Sequence, residues 1–595
     1  MIDYWSNENT VSRLLEQRAA ETPNGVAFQR EAEDGSWQPT LWHEFAARVD
    51  TLARAMYASG LRKGDRLALI APVSLEWELL HHAALAMGVV VVGLDAHDLP
   101  ERLTVMIEQA DITAFAVSDA RVLSQVSDSR LNRCHVLLAL GWVADARQAL
   151  RGWRTWEAFE SAATITELRP EAPTADDTAT IIFTSGTTGA PKGIAYRNGQ
   201  VCLAIEAIRD AFSFVGSDGR LLCWLPLSNL FQRMVSLAGL RQGAATYLLA
   251  DPRRVMQVVA QVSPDIFVGV PRFYEKLYDG LLDSIAAMAP LKRKLISWAW
   301  EIGRRSSRCV REGREAPLWL KCTHAAADRL ILRRVRGVMG WRLRCMVSGS
   351  APTPIYLLKE FHGLGWLVLE AYGLSENVIP MAMNHIDAFR FGTVGPPVPN
   401  NEIVVTGDGA IWVRGAGLFN GYLGEADRQA FDADGYYLTG DLGQLEGDGF
   451  LRLTGRSGDM IKTSSGRRIA PAAAEVLLQQ LPGVDQAMLV GAGRKGPVAL
   501  CTLARAWTDT AQRLEFESQL RHHTLLINEA ERPMAIGLLD APFCITAGEL
   551  TPNLKLRRSV IEAKQAALIE ELYRAAETAQ AAGRAVLPIL TKHST

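Results

Sequence analysis

The chain has cysteines but no pattern among them. The eight, at 134, 202, 223, 309, 322, 345, 501 and 544, form no C-x-x-C pair and no Cys/His group at zinc spacing. That excludes a disulfide framework and a zinc-ribbon core, and reads as reduced, mostly buried thiols of a cytoplasmic protein. Long apolar runs are missing as well. The longest, HHAALAMGVVVVGL at 81–94, holds two histidines and falls short of the roughly 20 residues that span a bilayer; it reads as a buried helix running into a buried strand. The opening MIDYWSNENT lacks the cationic flank and apolar core of a signal peptide. Strong net charge is also absent, at −2 over 595 residues, which argues against nucleic acid as a bulk partner because phosphate backbones require a basic surface. No internal repeat and no long low-complexity segment appears.

What is present is a large, ordinary globular composition, 48% hydrophobic and 22% charged, long enough for about three or four domains by the usual length prior. Residues 41–60 show apolar positions at helical spacing and end in Gly60, a C-terminal cap. DRLALIA reads as a strand, LEWELLHHAALAMG as a helix and VVVVGLD as the next strand; ITAFAVSD, CHVLLAL, DIFVGV and LVLEAYG continue the alternation. Near-continuous apolar strands alternating with helices predict an α/β fold of largely parallel sheets covered by helices, with ligands beyond the carboxyl ends of the strands. After about residue 395 the texture changes to short runs broken by Gly and Asp-Gly, which predicts antiparallel hairpins. A mixed segment then begins near 457, so the boundary falls close to Gly455–Gly458.

Charge is unevenly spread. Residues 291–345 hold 15 Lys or Arg against 4 Asp or Glu, with Trp298, Trp300, Trp319 and Trp341 interleaved. Two readings stand: a solvated helical surface whose tryptophans belong to the core, or a patch that rests on anionic lipid or attracts an anionic ligand.

The stretch TSGTTGAPKG at 184–193 follows an apolar run. A Walker loop needs Gly-Lys-Ser/Thr after its second glycine; here Lys192 follows a proline and no hydroxyl follows it. The ingredients of anion binding remain, namely glycines that admit backbone N–H groups, hydroxyl donors and a cation.

Five further motifs occur downstream: SGSAP (348–352), EAYGLSEN (370–377), YYLTGD (436–441), GRSGDMIKTSSGRRIAP (455–471) and LTPNLK (550–555). In this order the six resemble the adenylate-forming superfamily of acyl-CoA synthetases, adenylation domains and luciferases, over nearly the whole chain. LPLSNLFQR, VGVPRFYEKLYDG and LRCMVSGSAP are most similar to the long-chain fatty acyl-CoA synthetases. The resemblance implies a large domain over 1–456, with two helix-covered, largely parallel sheets and a distorted antiparallel β subdomain at about 395–456. It also implies a small mobile α+β domain over 457–595 with a helical tail.

The chemistry implied is activation of a carboxylate by joining it to AMP, which needs a pyrophosphate cradle, a divalent cation, an adenosine pocket and a cation for developing charge. By resemblance, Thr184, Ser185, Gly186, Thr187, Thr188 and Lys192 form the cradle. Glu376, with Thr184, holds Mg²⁺, a hard ion that prefers oxygen. Tyr372 stacks on adenine opposite Gly349, Ser350 and Ala351, with Glu370, Ala371, Gly373 and Ser375 completing the nucleotide side. Asp441 accepts from the ribose hydroxyls and Arg456 assists. Lys555 reaches the substrate carboxylate and α-phosphate; when the small domain rotates, it leaves and the segment from Lys462 to Gly466 faces the pantetheine thiol, glycine allowing close passage.

The resemblance is not complete. Asn229 and Gln232 replace the His and Glu usual in the motif bordering the acyl pocket; Ser375 and Asn553 replace Thr; Gly458 stands at a pivot commonly Asp or Lys, where Asp459 is the nearest carboxylate. The implied reaction is ATP- and Mg²⁺-dependent conversion of a fatty acid to acyl-AMP and pyrophosphate, then transfer to coenzyme A. Transfer to an acyl carrier protein, an aryl or other small acid as substrate, and a non-catalytic lipid-binding role are the alternatives. The expected location is the cytoplasm, with peripheral contact at the inner face of an anionic membrane through 291–345.

Overall fold

The computed structural model of the protein describes residue 6 and residues 9–124, 126–140, 152–165, 171–184, 191–424, 431–503, 510–550, 555–581 and 587–592. Its largest sheet has seven strands, in spatial order Trp153–Arg154, Val136–Ala139, Ala114–Val117, Arg66–Ile70, Val90–Gly93, Thr178–Phe183 and Gly193–Arg197. Neighbours run parallel except the last pair, in which Phe183 lies opposite Gly193. The runs LALI, VVVG and AFAV are buried at every residue, which is why they read as continuous apolar segments: parallel strands are covered on both faces. Ser74 caps the helix Leu75–Ala86 by accepting from the Trp77 amide, and this almost wholly buried helix explains the histidine-bearing apolar run.

Two four-stranded sheets follow. One orders Arg220–Cys223, Ala245–Leu248, Val26–Glu31 and Trp37–Leu41; the other Ile266–Gly269, Cys345–Ser348, Val368–Tyr372 and Ala382–Met383. In the second, the first three strands are parallel, so Gly269, Ser348 and Tyr372 end together at one edge. An antiparallel sheet of Asn401–Val405, Ala410–Gly415, Tyr437–Leu445 and Leu451–Arg456 puts Asp441 opposite Arg456.

Beyond it come a two-stranded hairpin, Ile461–Lys462 with Arg468–Ile469, and a mixed sheet of Val484–Val490, Val498–Leu503, Ile536–Leu539 and Ile589–Lys592. The helix Ala566–Ala581 is part of the helical tail read from the sequence, but the chain then returns to the sheet as the strand Ile589–Lys592.

The helix Pro290–Arg311 buries Ile296, Ala299, Trp300 and Ile302 and packs on Ile355–Leu364. Of the four tryptophans in the basic segment only Trp300 is core, at 3% exposure; Trp298, Trp319 and Trp341 are 46%, 56% and 62% exposed. Among the described residues no helix is long and apolar enough to cross a membrane.

Candidate active site

The strand Thr178–Phe183 delivers Thr184 to the start of the hydroxyl-rich loop. The Thr184 amide donates to the Lys192 carbonyl at 3.0 Å, so the loop's two ends are tied together. Ser185, Gly186, Thr187 and Thr188 lie outside the described residues. Lys192 holds its ammonium 4.6 Å from the centroid of the Tyr422 ring, and the Tyr422 hydroxyl donates to Glu376 Oε1 at 2.7 Å. One tyrosine thus joins the loop's cation to the half-buried glutamate of the third motif. The Leu423 amide donates to Gly193 O at 2.8 Å, and a Cβ on Gly193 would lie 2.6 Å from Leu423 Cδ1, so a larger residue would have to displace that leucine side chain. Tyr196, wholly buried, donates its hydroxyl to Ser375 O at 2.5 Å.

The residues expected on the nucleotide side lie at strand ends. The Gly349 amide donates to Gly269 O at 3.4 Å, and Ser350 takes a left-handed backbone, φ +72°, leaving Ser350 and Ala351 exposed. Glu370 is buried, accepts from the Thr353 amide at 3.1 Å, and is pushed up to about 7 by that burial. Ala371 and Gly373 flank Tyr372 at the end of the same strand.

The Tyr372 hydroxyl donates to Asp441 Oδ2 and Arg456 Nε donates to Asp441 Oδ1, both at 2.7 Å. Each carboxylate oxygen keeps a second lone pair for a further donor. Burial first, then the Asp441 charge, raises the Tyr372 phenol well above its usual range.

Lys555 is brought to the same place from the far end of the sequence. Burial, then the Arg456 charge, lowers its ammonium below the usual lysine range, while Asp441, Asp459 and Glu376 pull the other way. The group is therefore a buried cation within electrostatic reach of carboxylates from three motifs. Lys462 and Gly466 belong to the short hairpin, Lys462 exposed and Gly466 at φ +81°, with the Ser464 amide bound to Arg494 O. Asn229 caps the helix Leu230–Gln242, its side chain accepting from the Phe231 amide at 2.9 Å, so capping accounts for an asparagine here.

The chemistry of these groups fits a nucleoside triphosphate with its magnesium. A carboxylate, two lysines, a hydroxyl at the loop base and an Arg-bound aspartate converge on strand ends that leave backbone exposed. The sequence reading missed Tyr422 and Tyr196, whose partners lie 46 and 179 residues away and which no local spacing marks. It also missed Glu78, His81 and His82, whose ligand atoms lie within 4.8 Å of one another in the core. Arg233, held by Thr180 Oγ1 at 2.8 Å, adds its charge to that cluster, and a guanidinium there opposes a metal cation.

The family model described as AMP-binding enzyme matches residues 15–423. The long-chain-fatty-acid–CoA ligase FadD15 of Mycobacterium bovis is 31% identical over 592 residues, covering 95% of this chain and 97% of the relative. The adenylation domain of a carboxylate reductase from Mycobacterium chelonae superposes with a TM-score of 0.76 at 21% identity, over 95% of this chain and 91% of that one. ATP-bound MatB from Rhodopseudomonas palustris does so at 0.69 and 21%, over 93% and 99%. At such identities the two structures establish the shared fold.

Proposed function

Because the chain belongs to the AMP-binding enzyme family, we propose that it activates a long-chain fatty acid with ATP and passes the acyl group to coenzyme A. The observation that carries this reading is the convergence of Lys555, Asp441, Arg456 and Glu376. These residues are far apart in sequence, and together they supply the charges that an adenylation needs. In the first half-reaction a fatty acid carboxylate oxygen attacks the α-phosphorus, a P–O bond to the β-phosphate breaks, and pyrophosphate leaves. Lys555 balances the charge shared by carboxylate and α-phosphate; Lys192 and the hydroxyls of 184–188 hold the leaving group. Glu376 and Thr184 would hold Mg²⁺, which supplies further charge neutralisation on the phosphates when bound. In the second half-reaction the thiol displaces AMP after residues beyond 457, taken as a separate small domain, turn about Gly458 and exchange Lys555 for the Lys462–Gly466 hairpin.

Long-chain substrate is supported by the FadD15 relative, and contact with a bilayer, where such acids reside, by the exposed tryptophans among basic residues of 291–345. The test is pyrophosphate release over a panel of acids, with coenzyme A or a phosphopantetheinylated carrier protein as acceptor. The expected outcome is release that depends on long-chain acids, thioester formed on coenzyme A, and loss of release by at least about a hundredfold in Lys555→Ala, while the variant still makes thioester from supplied acyl-adenylate. Release with no acid dependence would overturn the reading; preference for aryl acids or for the carrier protein would replace its substrate or its acceptor.

A further inference from the structure

A single ion pair ties the strand Val484–Val490 to the helix Pro271–Ala286. Arg272, in the first turn of that helix, donates from Nη1 to the Asp485 carbonyl at 3.0 Å and from Nη2 to the Asp485 carboxylate. The Asp485 side chain is 16% exposed, so this is a charge-assisted pair largely withdrawn from water, the stronger kind. Glu275 stands 3.6 Å from the same Arg272 guanidinium, and Asp279 feels its charge. The helix follows directly on Ile266–Gly269, whose last carbonyl holds Gly349; Arg272 is therefore anchored beside the nucleotide-side loop.

At the other end, hydrogen bonds connect the strand that carries Asp485 to Arg558, close in sequence to Lys555. The strand's Leu489 amide donates to Glu475 Oε1 at 2.7 Å. Arg558 grips both oxygens of that glutamate at 2.7 Å each and also reaches Leu489 O at 3.4 Å. Arg558 lies three residues after Lys555 and stands 3.8 Å from Asp459 next to the pivot glycine. Strand, glutamate and arginine make one body, which carries Asp485 and Lys555 together.

We propose that Arg272 and Asp485 are a positioning pair: a latch that holds Lys555 over Asp441 and Glu376 for acyl-adenylate formation and must part before the thiol step. This rests on the reading that Lys555 serves the first half-reaction and then withdraws. Since Asp485 lies beyond Gly458 and Arg272 well before it, any turn about the pivot that removes Lys555 also pulls Asp485 off Arg272. The latch thus favours one half-reaction at the expense of the other.

The experiment measures the half-reactions separately in the full-length enzyme: pyrophosphate burst from fatty acid and ATP, and thioester formation from supplied acyl-adenylate and coenzyme A. Arg272→Gln and Asp485→Asn should each slow the first about tenfold, the size expected for one charged hydrogen bond. The second should be unchanged or faster, and the double variant no worse than either single. Losses that add in the double variant, an unslowed first half-reaction, or equal loss of both would overturn the latch. Lys555→Ala run alongside keeps the two ideas apart, because it must lose the first half-reaction selectively whether or not the latch exists.

Discussion

Glu370 shows how a single residue carries both stability and site geometry. It lies in the middle of the strand that ends at Tyr372, with Oε1 taking the Thr353 amide and Oε2 buried without a partner. Burial raises it from 4.5 to about 7. Between those two values the folded chain holds a proton that the unfolded chain has released. Stability from this group is therefore fully present below pH 4.5 and is lost as pH rises toward 7. Glu370→Gln removes the difference. Its unfolding free energy relative to wild type should climb by up to about 3 kcal/mol between pH 4.5 and 7.5, read as the gap between urea midpoints in a pH series; a gap that does not change with pH would show that Glu370 titrates as an ordinary carboxylate. The shape of the SGSAP loop depends on the same neighbourhood, because Thr353, which Glu370 holds by its amide, also meets Ser348 hydroxyl to hydroxyl at 2.7 Å.

Among the elements, the helix Pro290–Arg311 is fixed to Ile355–Leu364 at one unusually close crossing. A Cβ on Gly303 would fall 1.9 Å from Gly363 O, so only glycine fits. Around the crossing Arg304 pairs with Glu360, Trp300 donates to Glu360 O at 3.2 Å, and Ser307 meets His362 Nδ1 at 2.7 Å. Gly303→Ala must push the helices apart and should destabilise by about 1–3 kcal/mol. Gly280→Ala, in an exposed helical position with nothing within 4 Å, should instead stabilise by about 0.5–1 kcal/mol. Thermal unfolding of the two variants, which carry the same chemical change, checks both signs. The contrast also marks what a sequence can disclose. The buried parallel strands were legible because both their faces are covered, and the hairpins near 401–456 because Gly and Asp-Gly punctuate them. Ile589–Lys592 was not, being a four-residue run whose place depends on a partner 53 positions earlier. Nor could spacing disclose Arg272 with Asp485, 213 residues apart, or Tyr422 with Glu376. The site motifs were legible as patterns, and the resemblance already separated the roles of Lys555 and Lys462; the tyrosines that bridge the motifs needed the fold.

At the scale of the whole molecule, charge and exposed apolar surface coincide on one side. Leu291, Leu295 and Trp298 recur at the spacing of one helix face, yet are 72%, 47% and 46% exposed, and Leu318, Trp319, Leu330 and Trp341 continue the exposed apolar surface at 56–79%. The opposite face of the same helix already fills the core with Ile296 and Trp300; the helix is thus apolar on two sides, which is why the sequence alone left both readings of its tryptophans open. Exposed Lys292, Arg293, Lys294, Lys321, Arg329, Arg333 and Arg334 surround the outer face. Because the chain as a whole stands at −2 while 291–345 holds 15 basic against 4 acidic residues, the remainder is acidic. An anionic surface would therefore attract this side and repel the rest, and orientation follows from charge alone. Each basic residue near such a surface contributes about 1 kcal/mol, and interfacial tryptophan adds an apolar anchor. The protein should co-sediment with phosphatidylserine vesicles and not with phosphatidylcholine vesicles, with binding that weakens as salt rises. Reversing the charges of Lys292, Arg293 and Lys294 together should lower the affinity by roughly a hundredfold or more, while Trp298→Ala with Trp319→Ala should weaken binding without changing its salt dependence. Both sets should retain pyrophosphate release that depends on a long-chain acid supplied in detergent, away from any vesicle. Equal and negligible sedimentation with the two vesicle types would leave the basic face as a solvated surface and remove the membrane from the account.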